Sequence, residues 1–234
     1  KLLHTLETAS NPRGLVELSA DTDTCHCALP GSGPGQVLYY DAQRLHALST
    51  VDAHRGTLAC LALSSCGRLL ATSSDKGTVI RVHSFPQGQL THTFRRGSMP
   101  ANIYSLSFSP GVLQGEAYEH SARLLCAASS TGTVHVWSLE AQRGATDNPK
   151  KTQKASQLPL LSGERDFASF KLRAPAGTHC VAALRDSCPE GRPEQLQHSL
   201  YVLTEHGAWY SYRLDPLCSD RCLLQDERRV QLSA

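Results

Sequence analysis

Thr57-Leu-Ala-Cys-Leu-Ala-Leu63, Leu69-Leu-Ala-Thr-Ser-Ser74 and Thr78-Val-Ile-Arg-Val-His83 follow one another with only short polar breaks between them. Each run is too short for a helix of ordinary length, is rich in β-branched or small apolar residues, and is bounded by Gly, Asp or Ser. Strands joined by tight turns have these properties. The same three-part pattern recurs downstream. Ile103-Tyr-Ser-Leu-Ser-Phe108, Leu124-Leu-Cys-Ala-Ala-Ser129 and Thr133-Val-His-Val-Trp-Ser138 form one further copy, and Cys180–Leu184, Leu200–Thr204 and Ala208–Tyr212 form another. Upstream, Gly14–Ser19 and Gln36–Asp41 give a first copy.

Repetition at a fixed interval is the signature of an array of like units. The glycine that opens the last strand of each copy stands at 35, 77, 132 and 207, at intervals of 42, 55 and 75 residues. The first interval matches a propeller blade of about 40 to 45 residues. The longer two call for insertions, and the polar stretches at 111–123, 141–165 and 186–198 read as surface loops. Val136-Trp137-Ser138 stands where a Trp-Asp dipeptide is expected, and Ala53-His54 where a Gly-His is expected. A β-sandwich would use similar strands but does not account for the three-part recurrence. The expected fold is therefore all-β, a WD-repeat-like β-propeller of about four blades. The expected divisions are a last strand of a preceding blade at 1–8, blades at 9–48, 49–96, 97–172 (with its long loop at 141–165) and 173–215, and a tail at 216–234.

Composition bounds the chemistry. With 23 Lys and Arg against 21 Asp and Glu, the formal net charge is +2. Attraction to an anionic partner must then come from a local cluster rather than from the whole surface. No basic stripe is interleaved with aromatics, so nucleic acid is not an expected partner. No apolar run is long enough to cross a membrane as a helix. The nine cysteines are scattered. Cys25-His-Cys27 is too tightly spaced for an ordinary zinc knuckle, and Cys218 with Cys222 has no second half, so neither is read as a metal site. The cysteines fit a reducing compartment. No cofactor is implied. No nucleophile–base pair or paired-acid motif suggests an enzyme.

The local cluster is Phe94-Arg-Arg-Gly97, between the second and third blades. Two adjacent arginines are ordinarily solvated surface charge. In an extended segment, however, successive side chains point to opposite sides. Arg95 and Arg96 could therefore serve separate pockets, one toward each neighbouring blade, while Gly97 lets backbone amides approach an anion. One flank offers Thr72, Ser74, Gly77, Thr78 and Arg81, and the other Ser129, Thr133 and His135. Hydroxyl donors, a glycine turn and a guanidinium fork suit a phosphorylated, sugar-like headgroup. The alternative is a protein-interaction propeller whose arginines bind an acidic peptide without lipid specificity.

These residues resemble the PROPPIN family, the WIPI-type propellers of autophagy. The resemblance runs through Asn11-Pro-Arg-Gly-Leu15, Ala53-His54, Lys76-Gly-Thr-Val-Ile-Arg-Val82, Phe94-Arg-Arg-Gly97 and Thr133-Val-His135. It implies a peripheral membrane protein that binds phosphatidylinositol 3-phosphate and the 3,5-bisphosphate, with autophagy proteins as partners. The implied location is cytoplasmic, with recruitment to phagophore or endosomal membranes during autophagosome formation. It also implies two lipid sites. Thr72, Ser74, Gly77, Thr78, Arg81 and Arg95, joined by His54, would form the first; Arg96, Gly97, Ser129, Thr133 and His135 the second. A loop carrying Lys150, Lys151, Lys154, Leu158, Leu160 and Leu161 would add membrane contact. The family has seven blades, so the chain reads as N-terminally incomplete.

Overall fold

The computed structural model describes residues 4–20, 25–110, 122–139, 166–187, 197–215 and 222–229. The strands of the first sheet are β1 (Glu17–Leu18), β2 (His26–Pro30), β3 (Gln36–Asp41) and β4 (His46–Asp52). The second sheet holds β5 (Leu58–Leu63), β6 (Leu69–Ser74), β7 (Val79–Ser84) and β8 (Leu90–Arg95). The third holds β9 (Ile103–Phe108), β10 (Leu124–Ser129), β11 (Thr133–Ser138) and β12 (Ala168–Lys171). The fourth holds β13 (Cys180–Ser187), β14 (Gln197–Thr204), β15 (Ala208–Leu214) and β16 (Cys222–Arg229). Each sheet is an antiparallel meander in chain order. No helix occurs among the described residues.

The sheets stack face to face in sequence, like consecutive blades. β1 and β2 meet β5, β5 and β6 meet β9, and β9 and β10 meet β13. Burial along the strands follows from this stacking. Every residue of β10 is buried, because the third sheet is covered on both faces. On β13 burial alternates: Cys180, Ala182 and Leu184 are buried, while Val181, Ala183 and Arg185 face outward. Period-two alternation marks a sheet with one free face. The apolar layer between the first and second sheets centres on Tyr39, Leu58, Leu61, Leu70 and Phe85. Between the second and third it centres on Ile80, Phe94, Leu106, Leu125 and Trp137. Between the third and fourth, Val134, Val136, Leu184, Leu200 and Val202 fill it.

Two of the expected divisions differ from the observed strands. Residues 4–8 form no strand; a strand exists only where a neighbour supplies ladder partners, and none of the described segments does so here. Residues 222–229, expected within the tail, form the outer strand of the fourth sheet, with Tyr210 opposite Glu227 and Leu214 opposite Cys222. The sheet has an open edge there, and its backbone groups are satisfied by pairing. The segments 111–121, 140–165 and 188–196, which hold most of the expected insertions, lie outside the described residues.

Candidate functional site

The ladder of the second sheet decides which way each arginine points. Thr72 lies opposite Arg81 on one side of β7, and Arg81 lies opposite Thr93 on the other, with Val79 opposite Arg95. Because side chains alternate, Arg95 stands on the same face as Thr93, Arg81 and Thr72. That face looks toward the first sheet, since the Arg81 guanidinium donates to the Ala53 carbonyl. Arg96 continues the ladder, its amide donating to the Thr78 carbonyl at 2.9 Å. It follows Phe94 onto the opposite face, toward the third sheet. There burial holds the His135 imidazole below the usual histidine range, and the Arg96 charge adds to this. The two arginines thus serve two different blade interfaces.

On the first-sheet side, His54, Thr72 and Arg81 form a connected group. The Thr72 hydroxyl donates to the Arg81 carbonyl at 3.3 Å. Its lone pair accepts from His54 Nε2, 3.0 Å away. A hydroxyl has one proton, so His54 must be the donor in that pair. Burial, followed by the Arg81 charge, drives His54 down to about 4. Both residues lie beneath the surface, with His54 8% and Thr72 0% exposed. His54 Nε2 and the Thr72 hydroxyl are thus already engaged with one another across the blade interface. Ser74 is also buried. Thr78 and Arg81 are half-buried and closer to solvent. Arg95 is half-buried too, and among the described residues its guanidinium has no hydrogen-bond or ion-pair partner.

Gly77 has a different part from the one its sequence context suggests. It adopts a φ of 57°, and a Cβ there would lie 1.9 Å from the Ala101 carbonyl oxygen. An acceptor, not a donor, covers this turn. The glycine is required by close packing of the segment that leads into the third sheet. Gly35 has the same relation to the carbonyl of His54, at 2.0 Å. Gly132 and Gly97 have nothing within 4 Å of the Cβ position.

On the third-sheet side, Ser129, Thr133 and His135 share a face. His135 lies opposite Ala127, and Ala127 and Trp137 pack in the layer shared with the second sheet. The ring of His135 stacks beside Trp137, centroids 5.6 Å apart, and Trp137 stacks on Phe94 at 5.4 Å. The Ser129 hydroxyl is fully buried, donating to the Thr133 carbonyl at 3.1 Å and bonded to Thr131 Oγ1 at 2.9 Å. Arg96 is 8% exposed. Its Nε donates to the Gly77 carbonyl at 2.9 Å and its Nη2 to the Met99 carbonyl. It is therefore braced within its own blade as well as aimed at the next. Thr133 is half-buried.

The two clusters are alike but not identical. The turn between β6 and β7 is one residue longer than that between β10 and β11, so Arg81 occupies the ladder position of His135, and Ala127 that of Thr72. Sequence reasoning missed Asp166, whose Oδ2 lies 3.0 Å from His135 Nδ1. It is 31 residues from His135, and nothing in its local sequence marks it. The loop residues Lys150, Lys151, Lys154, Leu158, Leu160 and Leu161 lie outside the described residues. None of the site residues lines the cavity of about 240 Å³ bounded by Asn11–Leu15 and Pro30–Gly35. Among the described residues no three His, Cys, Asp or Glu side chains gather as a metal site would require.

The family model for PROPPIN matches residues 1–158. The chain belongs to the PROPPIN family. Autophagy-related protein 18 of Aspergillus clavatus is 36% identical over 220 residues, a match covering 76% of this PROPPIN chain and 50% of the relative. Autophagy-related protein 18 of Caenorhabditis elegans is 33% identical over 239 residues, covering 92% of this chain and 54% of the relative. The chain thus spans about half the length of the curated relatives it matches. Among solved structures, Kluyveromyces lactis Hsv2 superposes with a TM-score of 0.63 over 88% of this chain and 59% of its own, at 19% identity. KlAtg21, solved in complex with the coiled-coil of AgAtg16, superposes with a TM-score of 0.61 at 21% identity, over 93% of this chain and 58% of its own. The four sheets of this PROPPIN chain are blades of a β-propeller.

Proposed function

We propose that this PROPPIN chain is a non-enzymatic scaffold that binds phosphoinositide headgroups, phosphatidylinositol 3-phosphate and the 3,5-bisphosphate, through two sites flanking its second blade. The observation that carries this reading is the division of Arg95 and Arg96 between opposite faces of one blade. Arg95 points toward the first blade beside Arg81, and Arg96 toward the third beside His135. The Arg95 guanidinium, without a partner among the described residues, is the main anion donor of the first site, with Thr78 and the outer part of Arg81 around it. Arg96, Thr133 and His135 form the second, with open space at the Gly97 Cβ position beside them. His54, Thr72, Ser74 and Ser129 support these groups from beneath, and Gly77 holds the turn.

Charge-assisted hydrogen bonds contribute about 1.5–3 kcal/mol each before desolvation and ordering costs, so one site alone binds weakly. Two sites on one rim engaging one bilayer gain roughly 10²–10⁴ by effective concentration. The blade edges, rather than the flat face, then meet the membrane. The loop with Lys150, Lys151 and Lys154, followed by Leu158, Leu160 and Leu161, adds electrostatic attraction and a small apolar wedge. Recruitment is peripheral, from the cytoplasm to phagophore or endosomal membranes, where autophagy proteins are the partners in autophagosome formation.

Flotation of the chain with liposomes tests the reading. The native chain is expected to float with liposomes containing phosphatidylinositol 3-phosphate and to stay down with liposomes lacking it, and Arg95→Thr, left with the second site alone, is expected to float far less with the former. A folded chain that ignores the 3-phosphate lipid overturns the reading.

A further inference from the structure

Asp166 is a carboxylate standing inside a cluster that would otherwise attract anions. It precedes β12 by one short step, and its Oδ2 lies 3.0 Å from His135 Nδ1. It also accepts from the side chain of Ser169, the residue opposite His135 in the ladder. Burial pushes the Asp166 carboxyl up, but these bonds from His135 and Ser169 outweigh it and keep the group below the usual carboxylate range. Asp166 is therefore ionised at neutral pH and can only accept. The proton between the two residues must sit on His135 Nδ1, which leaves Nε2 with a bare lone pair.

A phosphate oxygen is likewise only an acceptor, so Nε2 in this tautomer repels it. His135 becomes a donor there only after taking up a second ring proton. Burial is the largest influence against that step, and the Arg96 charge opposes it too, while Asp166 favours it without prevailing. The other charged and titratable groups on the surrounding elements are Lys171 on β12, Cys126 on β10, Arg95 and His92 on β8 and Tyr104 on β9; of these Cys126 packs in the layer toward the fourth sheet and Tyr104 is turned to the fourth-blade side, where it donates to the Gly177 carbonyl. The first site has no counterpart to this arrangement. His54 Nε2 already donates to Thr72, and Arg95 is a guanidinium, a donor with no ring tautomer to set.

We propose that Asp166 sets the strength and pH range of the second site, holding the His135 proton on Nδ1 so that a phosphorylated headgroup is accepted there only with uptake of a proton. This rests on the phosphoinositide reading above. Asp166 is a positioning residue, acting on the ligand through His135 and through its own charge. Because the bound state carries one more proton, affinity at the second site rises as pH falls, by up to about tenfold per pH unit for one proton. The first site keeps its affinity over the same range.

The test compares binding to vesicles containing phosphatidylinositol 3-phosphate at about pH 7.5 and about pH 6.5, with vesicles lacking that lipid as the blank. Four forms of the chain are used: native, Asp166→Asn, Arg95→Thr to silence the first site, and the double variant. Arg95→Thr is expected to bind several-fold more tightly at the lower pH. Adding Asp166→Asn is expected to strengthen binding at the higher pH and to flatten the difference, since an asparagine amide can donate to Nδ1 and release the Nε2–H. Long-range proton–nitrogen spectra read the tautomer without any lipid, with Nδ1–H expected in the native chain and Nε2–H in Asp166→Asn. If the native chain binds the lipid but Asp166→Asn leaves both affinity and pH response unchanged, or weakens binding, the inference is overturned and the lipid reading survives. An Nε2-protonated native His135 overturns it as well. A native chain that ignores the lipid at both pH values overturns the lipid reading and this inference together.

Discussion

Phe94 in the second blade stacks on Trp137 in the third, with ring centroids 5.4 Å apart and planes 18° from parallel. Both side chains are fully buried, and the residue after Phe94 is Arg95. The aromatic pair fixes the end of β8 against the neighbouring blade and so fixes the origin from which the two arginines diverge. The His135 ring also lies against Trp137. Packing and site geometry are here the same contact.

Phe94→Ala is accordingly expected to destabilise the chain by about 3–5 kcal/mol, the usual cost of deleting a buried aromatic ring. Trp137→Ala should cost a similar amount. The double variant should cost less than the sum, by about 0.5–1.5 kcal/mol for the stacked pair. Denaturant unfolding of the four forms measures the coupling. Strict additivity would show that the stack contributes nothing beyond area.

The two turn glycines separate steric demand from backbone demand. Gly132 adopts a φ of 71° with open space at its Cβ position, so Gly132→Ala bears only the left-handed penalty, about 1–2 kcal/mol. Gly77→Ala bears that penalty and also drives a methyl into the Ala101 carbonyl. Its unfolding midpoint should fall clearly further than that of Gly132→Ala. Equal losses would mean that the segment at Ala101 yields without cost.

Acid should loosen the interface between the first and second blades. His54 and His83 are each held down to about 4, by burial first and by Arg81 next. Both are neutral when folded, whereas the unfolded chain protonates them near the ordinary histidine value. Below about pH 6.5 the unfolded state therefore binds more protons, and stability is lost as pH falls from there toward 4. Each residue accounts for on the order of 3 kcal/mol across that window. Denaturant titrations at a series of pH values should show the decline, and His83→Gln should remove about half of its slope. A flat profile between these limits would rule out neutral burial of the two rings.

The strands that the sequence revealed are the ones whose burial alternates or is complete. The inner three of each blade carry apolar runs such as Leu58–Leu63 and Leu124–Ser129, and these can be read directly. The outer strands escaped the three-part pattern because they lie at sheet margins. His46–Asp52 and Cys222–Arg229 are mostly polar and exposed, so no hydrophobic period marks them. His26–Pro30 was obscured by Cys25-His-Cys27, which invites a metal reading, and by its terminal proline. The opposed directions of Arg95 and Arg96 could be read from chain alternation alone. What they meet could not. Bracing of Arg96 by the Gly77 and Met99 carbonyls, the carbonyl over Gly77 and the Asp166 carboxylate all depend on segments brought together by folding.

Bracing is what distinguishes the two arginines experimentally. The Arg95 guanidinium has no partner among the described residues, so Arg95→Thr should change unfolding free energy by no more than about 0.5 kcal/mol, as surface substitutions usually do. It should nonetheless sharply reduce flotation with liposomes containing phosphatidylinositol 3-phosphate, leaving only the weak second site. Arg96 is buried and donates to two carbonyls, so Arg96→Thr leaves acceptors without donors. Hydrogen bonds from charged groups are worth about 1.5–3 kcal/mol each, and Arg96→Thr should unfold at clearly lower denaturant as well as bind less. A variant altered at both positions mixes these effects, and loss of flotation in it cannot be assigned to lipid contacts. Unfolding and flotation measured side by side on the single variants separate them. If Arg95→Thr proves as destabilised as Arg96→Thr, its guanidinium has a structural partner and the first site must be redrawn around Arg81 and Lys76.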